Sequence, residues 1–102
     1  MAVKIIKFGG SSFRRPECYR SVSKHIANSL AHGFDQVVVV VSAMYGETEN
    51  LKKLALSVSE RCDGAAMDTV LTTGEIVSVG LLEAALERYS VTVSSLFGYS
   101  LG

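Results

Sequence analysis

The 102-residue sequence has no tryptophan, a single proline, two cysteines and no long run of like charge. Cys18 and Cys62 fall in segments with helical periodicity and without metal-binding spacing, so we expect reduced packing residues rather than a disulfide or a metal site. Ten basic side chains balance ten acidic ones. This balance provides no positive surface for nucleic acid or an anionic membrane, and we expect neither as a partner.

We also expect no targeting segment in this sequence. The apolar stretch at residues 1–8 is too short for a signal peptide, and we expect no segment with the character of a transmembrane helix. The expected compartment is therefore the cytoplasm. A hydrophobic content of 48% is enough for a core, and a chain of this size buries roughly two-thirds of its unfolded surface.

Hydrophobic periodicity predicts alternating strands and helices. The predicted strands are residues 3–7, 37–41 and 91–97. The predicted helices begin at Pro16, Thr48 and Thr72 and end at Gly33, Asp63-Gly64 and near Tyr89. This order is typical of α/β proteins, and the β-branched run at 37–41 predicts a central parallel strand covered on both faces. Right-handed crossovers bring strand ends to one edge, where we expect Lys7, Ser42 and Gly98 to meet.

The segment Lys7-Phe8-Gly9-Gly10-Ser11-Ser12 is the strongest indication of function. A polyphosphate needs a cation and exposed backbone N–H groups without β-carbons in the way, which this segment offers. Lys7 shares a strand face with Val3 and Ile5, and strand ends in open α/β sheets are where ligands bind. The alternative is a surface lysine beside an ordinary tight turn. The pattern is neither a P-loop nor a Rossmann fingerprint.

Two further polar segments fall near the predicted sheet edge. The hydroxyls and N–H groups of Ser42 to Thr48 suit a carboxylate or phosphate, but Thr48 is equally suited to be a helix N-cap. The segment Thr72-Thr73-Gly74-Glu75 has the spacing of a capping box. Alternatively, Glu75 binds an ammonium group, because a carboxylate in an apolar stretch needs a partner. Both alternatives stay open for each segment.

Taken in order, these segments resemble the amino-terminal part of aspartate kinases, in the amino acid kinase family. The resemblance extends along the whole chain and rests on three segments: residues 7–12, residues 39–51 and Gly74-Glu75. Glutamate kinase, acetylglutamate kinase and uridylate kinase share the lysine and glycines. The Ser42-Ala43-Met44 loop, followed by Gly46 and Thr48, favours aspartate kinase among them.

The resemblance implies an α/β fold with three αβα layers and a mainly parallel sheet, of which residues 1–102 are the amino-terminal substrate and phosphate-transfer half. It implies phosphoryl transfer from ATP to the side-chain carboxylate of L-aspartate, in lysine, threonine and methionine biosynthesis. Mg²⁺ would be held mainly through the nucleotide, with no protein metal ligand in this chain.

The resemblance also implies a role for each matching residue. Catalytic Lys7 would neutralise the phosphoryl group in flight, while Gly9, Gly10 and Ser11 line its path. Ser42 and Thr48 would hold aspartate, and Glu75 would bind its α-ammonium group.

Three departures from the aspartate kinase pattern accompany the match. Ser11 stands where threonine is often found, and Glu49 stands where Asn or Asp often follows the threonine. The nucleotide-binding half, an arginine for the α-carboxylate and the ACT domains are not represented. We therefore expect the chain to be inactive alone and to need a missing kinase half or homo-oligomerisation. The alternative is a non-catalytic, truncated kinase-like binding or assembly module.

Overall fold

The computed structural model of the protein describes residues 1–96. Within that range the strands and α-helices are β1 (Val3–Phe8), α1 (Glu17–Ala31), β2 (Gln36–Val41), α2 (Glu47–Val58) and α3 (Gly64–Leu86). Short 3-10 turns follow β1 at Gly10–Ser12 and α3 at Glu87–Tyr89. The alternation of strands and helices predicted from hydrophobic periodicity is confirmed for residues 3–86.

Strands β1 and β2 pair in parallel, in a register that sets Lys7 against Val40 and Phe8 against Val41. Parallel pairing requires a crossover connection, and α1 provides it. Ser42, directly after β2, donates its backbone N–H to the carbonyl oxygen of Phe8 at 3.3 Å. The predicted meeting of these two strand ends is confirmed, whereas Gly98 lies outside the described residues.

Within residues 1–96, helices cover one face of this sheet and leave the other open. Phe8, Val37, Val39 and Val41 pack against the core formed with α1 and α3. Val3, Ile5, Val38 and Val40, on the opposite face, are between 45% and 73% exposed. The prediction that β2 is covered on both faces is therefore wrong for residues 1–96, because α2 packs against α3 and adds no cover to the open face.

The core joins α1 to α3 through an aromatic stack and one buried hydrogen bond. Phe13 is fully buried and stacks on Tyr19, with ring centroids 4.4 Å apart. The hydroxyls of Tyr19 and Ser78 are hydrogen-bonded at 2.7 Å. Four aliphatic residues complete this core: Val22, Ile26, Leu82 and Leu86. The segment after β1 is thus anchored to α3 through buried side chains.

The predicted limits of α1 are confirmed. Pro16 immediately precedes the helix with φ −53°, which its ring favours in any case. Gly33 follows the helix with φ +109°, a conformation that residues with a β-carbon rarely adopt. Local chemistry therefore determines both ends of this helix.

Helix α3 begins earlier than predicted. Asp63 and Gly64 open this helix, whereas α2 has already ended at Val58. Thr72 consequently lies inside α3, where its hydroxyl donates to the carbonyl oxygen of Asp68 at 2.6 Å. The capping-box interpretation of Thr72 and Glu75 is wrong, because a helix-interior threonine bonds back to the preceding turn.

The predicted third strand is not formed by residues 91–96. This segment has no regular structure and lines, together with β2 and α3, a groove of about 630 Å³. The hydroxyl of Ser95 donates to the carboxylate of Glu83 on α3, a contact that ties the segment to the helix rather than to the edge of β2. Phe97, the last residue of the predicted strand, lies outside the described residues.

The expectation that no segment has the character of a transmembrane helix is wrong. The 26-residue segment Gly64–Tyr89 is long and apolar enough to cross a membrane, judged by length and composition only. Buried helices of globular proteins can have the same composition. In this structure α3 packs against both α1 and α2, which buries Leu82 and Leu86, whereas Val77 and Leu81 remain exposed.

Candidate functional site

The first loop, defined as residues 9–16 between β1 and α1, starts with a tight turn. The backbone N–H groups of Ser12 and Phe13 donate to the carbonyl oxygens of Gly9 and Gly10, both at 3.0 Å. The N–H groups that begin such a turn have no acceptor within it. Gly9 and Ser11 are exposed, so the start of the first loop offers backbone donors that a ligand can reach.

Lys7 lies on the open face of the sheet, as strand alternation predicts. Within residues 1–96 no carboxylate forms an ion pair with its ammonium group. Lys4, on the covered face, donates instead to the Ser29 hydroxyl at 3.2 Å and lies 5.3 Å from the Phe34 ring centroid. The same strand therefore carries one lysine with partners in the fold and another whose cation is available beside the first loop.

The second loop, defined as residues 42–46 between β2 and α2, runs beside the first. The Ser42 hydroxyl donates to the Phe8 carbonyl oxygen at 3.4 Å, and the Tyr45 N–H donates to the Phe13 carbonyl oxygen at 2.9 Å. A β-carbon at Gly10 would lie 3.7 Å from the Ala43 carbonyl oxygen. The backbone hydrogen bond from Tyr45 to Phe13 and the close approach of Gly10 to Ala43 hold the two loops together.

Thr48 lies in the first turn of α2 and is exposed. The residue that precedes the helix is Gly46, with φ +83°, and no side chain caps this end. The N-cap interpretation of Thr48 is therefore wrong, because glycine at Gly46 adopts the left-handed conformation that starts the helix two residues earlier. The Thr48 hydroxyl is left without a capping role.

Gly74 brings α3 against the second loop. A β-carbon at this buried position would lie 3.0 Å from the Ala43 β-carbon and 3.1 Å from Leu51 Cδ1. Both distances are too short for ordinary contact, so glycine is what allows the approach. Our reading of the sequence did not identify this packing role, although a glycine within a helical pattern signals close contact.

Glu75 is exposed on α3 and follows Gly74 directly. Consecutive Cα atoms are about 3.8 Å apart. The backbone of Glu75 is therefore next to the point where Gly74 contacts the second loop. Among the described residues, no hydrogen bond or ion pair joins Glu75 to Lys7, Ser42 or Thr48. The structure therefore places Glu75 near the second loop but does not link it directly to the other predicted site residues.

Arg14 and Tyr45 form a contact that our reading of the sequence missed. The guanidinium carbon of Arg14 lies 4.3 Å from the centroid of the Tyr45 ring, within the range of a cation–π interaction. Arg14 belongs to the first loop and Tyr45 to the second. No sequence signal reveals such a pair, because the contact depends on the tertiary placement of two loops.

The ends of β1 and β2 therefore bring together a lysine without an ion pair among residues 1–96, exposed backbone N–H groups and the Ser42 hydroxyl. Cations and N–H donors are groups that suit an anionic ligand. Within residues 1–96 no cluster of three or more His, Cys, Asp or Glu side chains could hold a metal ion. Cys18 and Cys62 are both free thiols and half-buried.

Sequence comparisons relate the chain to a known protein family. The model of the amino acid kinase family matches residues 2–100. An aspartokinase from Helicobacter pylori is 40% identical over 96 residues, which are 94% of this chain and 24% of that protein. An aspartokinase from Geobacillus stearothermophilus is 37% identical over 102 residues, which are 100% of this chain and 25% of that protein.

A solved structure supports the same relationship. The crystal structure of an aspartate kinase from Synechocystis matches with a TM-score of 0.84 and 36% identity, over 93% of this chain and 16% of that chain. The amino acid kinase-like fold is thereby confirmed, and the chain spans about a quarter of the length of the curated relatives it matches. Because the family model covers nearly all of the sequence, the chain belongs to the amino acid kinase family.

Proposed function

We propose that the chain is the amino-terminal portion of an aspartate kinase domain and carries its phosphate-transfer and aspartate-binding residues. Similarity to aspartokinases over nearly the whole chain supports this proposal. The observation that carries it is the placement of Lys7 at the end of β1 beside the two loops, where its ammonium group forms no ion pair with residues 1–96. The nucleotide-binding half and any regulatory domains would be supplied by other polypeptide.

The proposed reaction transfers the γ-phosphoryl group of ATP to the side-chain carboxylate of L-aspartate. A carboxylate oxygen attacks the γ-phosphorus, and the bond to the oxygen that bridges to ADP breaks. The products are 4-phospho-L-aspartate and ADP. Such transfers depend mainly on positioning and on stabilisation of charge on the phosphoryl oxygens.

The first loop and Lys7 fit the phosphate side of this reaction. The Lys7 ammonium group would neutralise charge on the phosphoryl group, and the N–H groups of Gly9, Gly10 and Ser11 would line its path. Mg²⁺ would accompany ATP and be held mainly through it, since residues 1–96 contain no carboxylate cluster suited to a metal ion. Mg²⁺ would neutralise phosphate charge there.

The second loop and α3 fit the aspartate side. Ser42 and Thr48 would hold aspartate through hydroxyls that no helix cap requires, and Glu75 would pair with its α-ammonium group. The exposure of Glu75 and the position of its helix against Ala43 support this assignment. The reaction would serve lysine, threonine and methionine biosynthesis in the cytoplasm, with neither nucleic acid nor membrane as a partner.

The proposed function is tested by supplying the rest of the kinase as a second polypeptide. The 102-residue chain is coexpressed with the remaining three-quarters of a matching aspartokinase, and the complex is assayed for ADP formation with L-aspartate, L-glutamate, N-acetylglutamate and UMP. We expect turnover with L-aspartate only. Turnover with another acceptor would assign a different kinase activity. A stable complex that turns over none of the four would favour the non-catalytic binding or assembly module.

A further inference from the structure

The contact between Arg14 and Tyr45 crosses the candidate site and has no part in the proposed reaction. The guanidinium carbon stands 4.3 Å from the ring centroid. Tyr45 is 58% exposed, so burial in the core does not force its ring into this position. Neither the proposed reaction nor burial in the core therefore accounts for this contact.

One side of this contact is firmly anchored. Phe13, the residue before Arg14, accepts a hydrogen bond from the Tyr45 N–H at 2.9 Å. Phe13 is fully buried against Tyr19, which is hydrogen-bonded to Ser78 of α3. The backbone of Arg14 thus follows a buried core residue, while its guanidinium group extends to the second loop.

The neighbouring arginine provides a contrast. Arg15 lies 4.0 Å from the carboxylate of Glu17 and both side chains are well exposed. Arg14 forms no ion pair with any of residues 1–96, and its partner is the ring of Tyr45. Two adjacent arginines in the first loop therefore have different partners, a carboxylate for Arg15 and a ring of the second loop for Arg14.

We propose that Arg14 is a positioning residue, which holds the second loop against the first by stacking on Tyr45. We call this contact the Arg14–Tyr45 latch. The proposal rests on the proposed function, in which these loops hold the two reacting groups. Productive transfer requires the reacting atoms at a near-attack distance, and small misplacements lower the rate strongly. The Arg14–Tyr45 latch, together with the Tyr45 to Phe13 hydrogen bond, fixes the spacing of the loops before any ligand binds.

Amide hydrogen exchange on the 102-residue chain tests the latch without a ligand. In Arg14→Ala we expect exchange at the Tyr45 amide to become about two- to five-fold faster, the change that follows from losing an exposed cation–π contact. Exchange at the amides of Tyr19 and Ile26 in the core should not change. Unaltered exchange at Tyr45, or equal acceleration throughout the core, would overturn the proposal.

Three matched variants separate the latch from general loop stability. Arg15→Ala removes a neighbouring arginine with no ring contact and should leave Tyr45 exchange unchanged. Tyr45→Phe keeps the ring and should behave as the wild type, whereas Tyr45→Leu should accelerate exchange at residue 45 as Arg14→Ala does. Equal effects of Arg14→Ala and Arg15→Ala would show that the stacking is not responsible.

A titration with pyrophosphate, followed by amide chemical shifts, tests the positioning role itself. In the wild-type chain we expect pyrophosphate to shift the amides of both loops, and in Arg14→Ala only those of the first. Equal shifts in the second loop of both proteins would overturn the positioning role. If pyrophosphate shifts the amides of neither loop in the wild type, the proposed phosphate site is wrong. The exchange measurement still tests whether Arg14 holds the second loop against the first.

Discussion

At the residue scale, strand alternation gives two lysines of β1 different environments. Lys4 faces the helices and is held by Ser29 and Phe34, whereas Lys7 faces the open side at the end of the strand. The two side chains are chemically identical. Their position on the strand alone makes one a packing residue and the other a candidate for charge neutralisation.

Substitution of each lysine should separate these roles. In the complemented enzyme, Lys7→Ala should lower kcat by roughly hundreds-fold, because it removes a charge that acts in the transition state. Lys4→Ala should instead lower the free energy of unfolding by about 1 kcal/mol, since a hydrogen bond and a cation–π contact are lost. Steady-state kinetics measures the change in kcat, and urea unfolding measures the change in the free energy of unfolding. A near-normal kcat in Lys7→Ala would identify Lys7 as an ordinary surface lysine.

Glu75 has no capping role in this structure. A substitution there therefore tests ligand binding without removing a helix cap. Glu75→Gln should change stability by less than about 0.5 kcal/mol, as is usual for exposed sites. It should raise the KM for aspartate about 10- to 100-fold in the complemented enzyme, because the amide keeps an acceptor oxygen but loses the negative charge that would pair with the ammonium group. Asp68→Asn, at an exposed acid on the same helix, is the control. Equal KM values in the two variants would exclude Glu75 from the aspartate site.

At the element scale, the position of α3 depends on a single glycine. Gly74→Ala places a β-carbon against Ala43 and Leu51, whereas a β-carbon at Gly80 of the same helix meets nothing within 4 Å. Both changes gain helix propensity, so their difference isolates the contact. We expect Gly74→Ala to be less stable than Gly80→Ala by about 1–3 kcal/mol in urea unfolding. Equal stabilities would mean that α3 can shift away from the second loop without cost.

The hydrogen bond between Tyr19 and Ser78 is the polar link between α1 and α3. Tyr19→Phe and Ser78→Ala should each lower the free energy of unfolding by about 1–3 kcal/mol, because each leaves a buried hydroxyl without its partner. The double variant should cost about 1 kcal/mol less than the sum of the single changes, as expected for residues in contact. Strict additivity in this double-mutant cycle would show that the hydroxyls do not interact in solution.

At the scale of the whole molecule, the open sheet face is the dominant feature. Val3, Ile5, Val38 and Val40 expose apolar surface around Lys7, and the relatives are about four times longer than this chain. In the proposed aspartate kinase domain, further polypeptide would pack on this apolar face. Lys7 lies on the same face, so that polypeptide would also lie beside its ammonium group.

The isolated chain should therefore show no aspartate-dependent ATP turnover. Orientation of the triphosphate requires contacts beyond those that Lys7 and the first loop provide, and catalysis of this kind depends on orientation. A coupled ADP assay on the purified 102-residue chain, with the complemented complex as positive control, measures this. Robust turnover by the isolated chain would contradict the proposal that it is only part of a kinase domain.

Several structural features were predictable because their causes are local. Pro16 and Gly33 limit α1 through backbone conformations that their own chemistry favours, and alternation within β1 predicts the face of Lys7. The limits of α2 and α3 were not predictable in the same way. Gly46 and Asp63 start these helices earlier than Thr48 and Thr72, and each threonine was a plausible cap by local chemistry alone.

Local sequence patterns were sufficient to predict the order of the elements from β1 to α3, the meeting of Lys7 and Ser42 at one sheet edge, and the resemblance to aspartate kinases. These follow from periodicity, parallel crossovers and short segments whose chemistry is contained in consecutive residues. Only the tertiary structure decided that one sheet face is open, that Gly74 lies against Ala43, and that Arg14 stacks on Tyr45. Each of these joins residues distant in sequence, so its energy depends on packing that no local pattern contains.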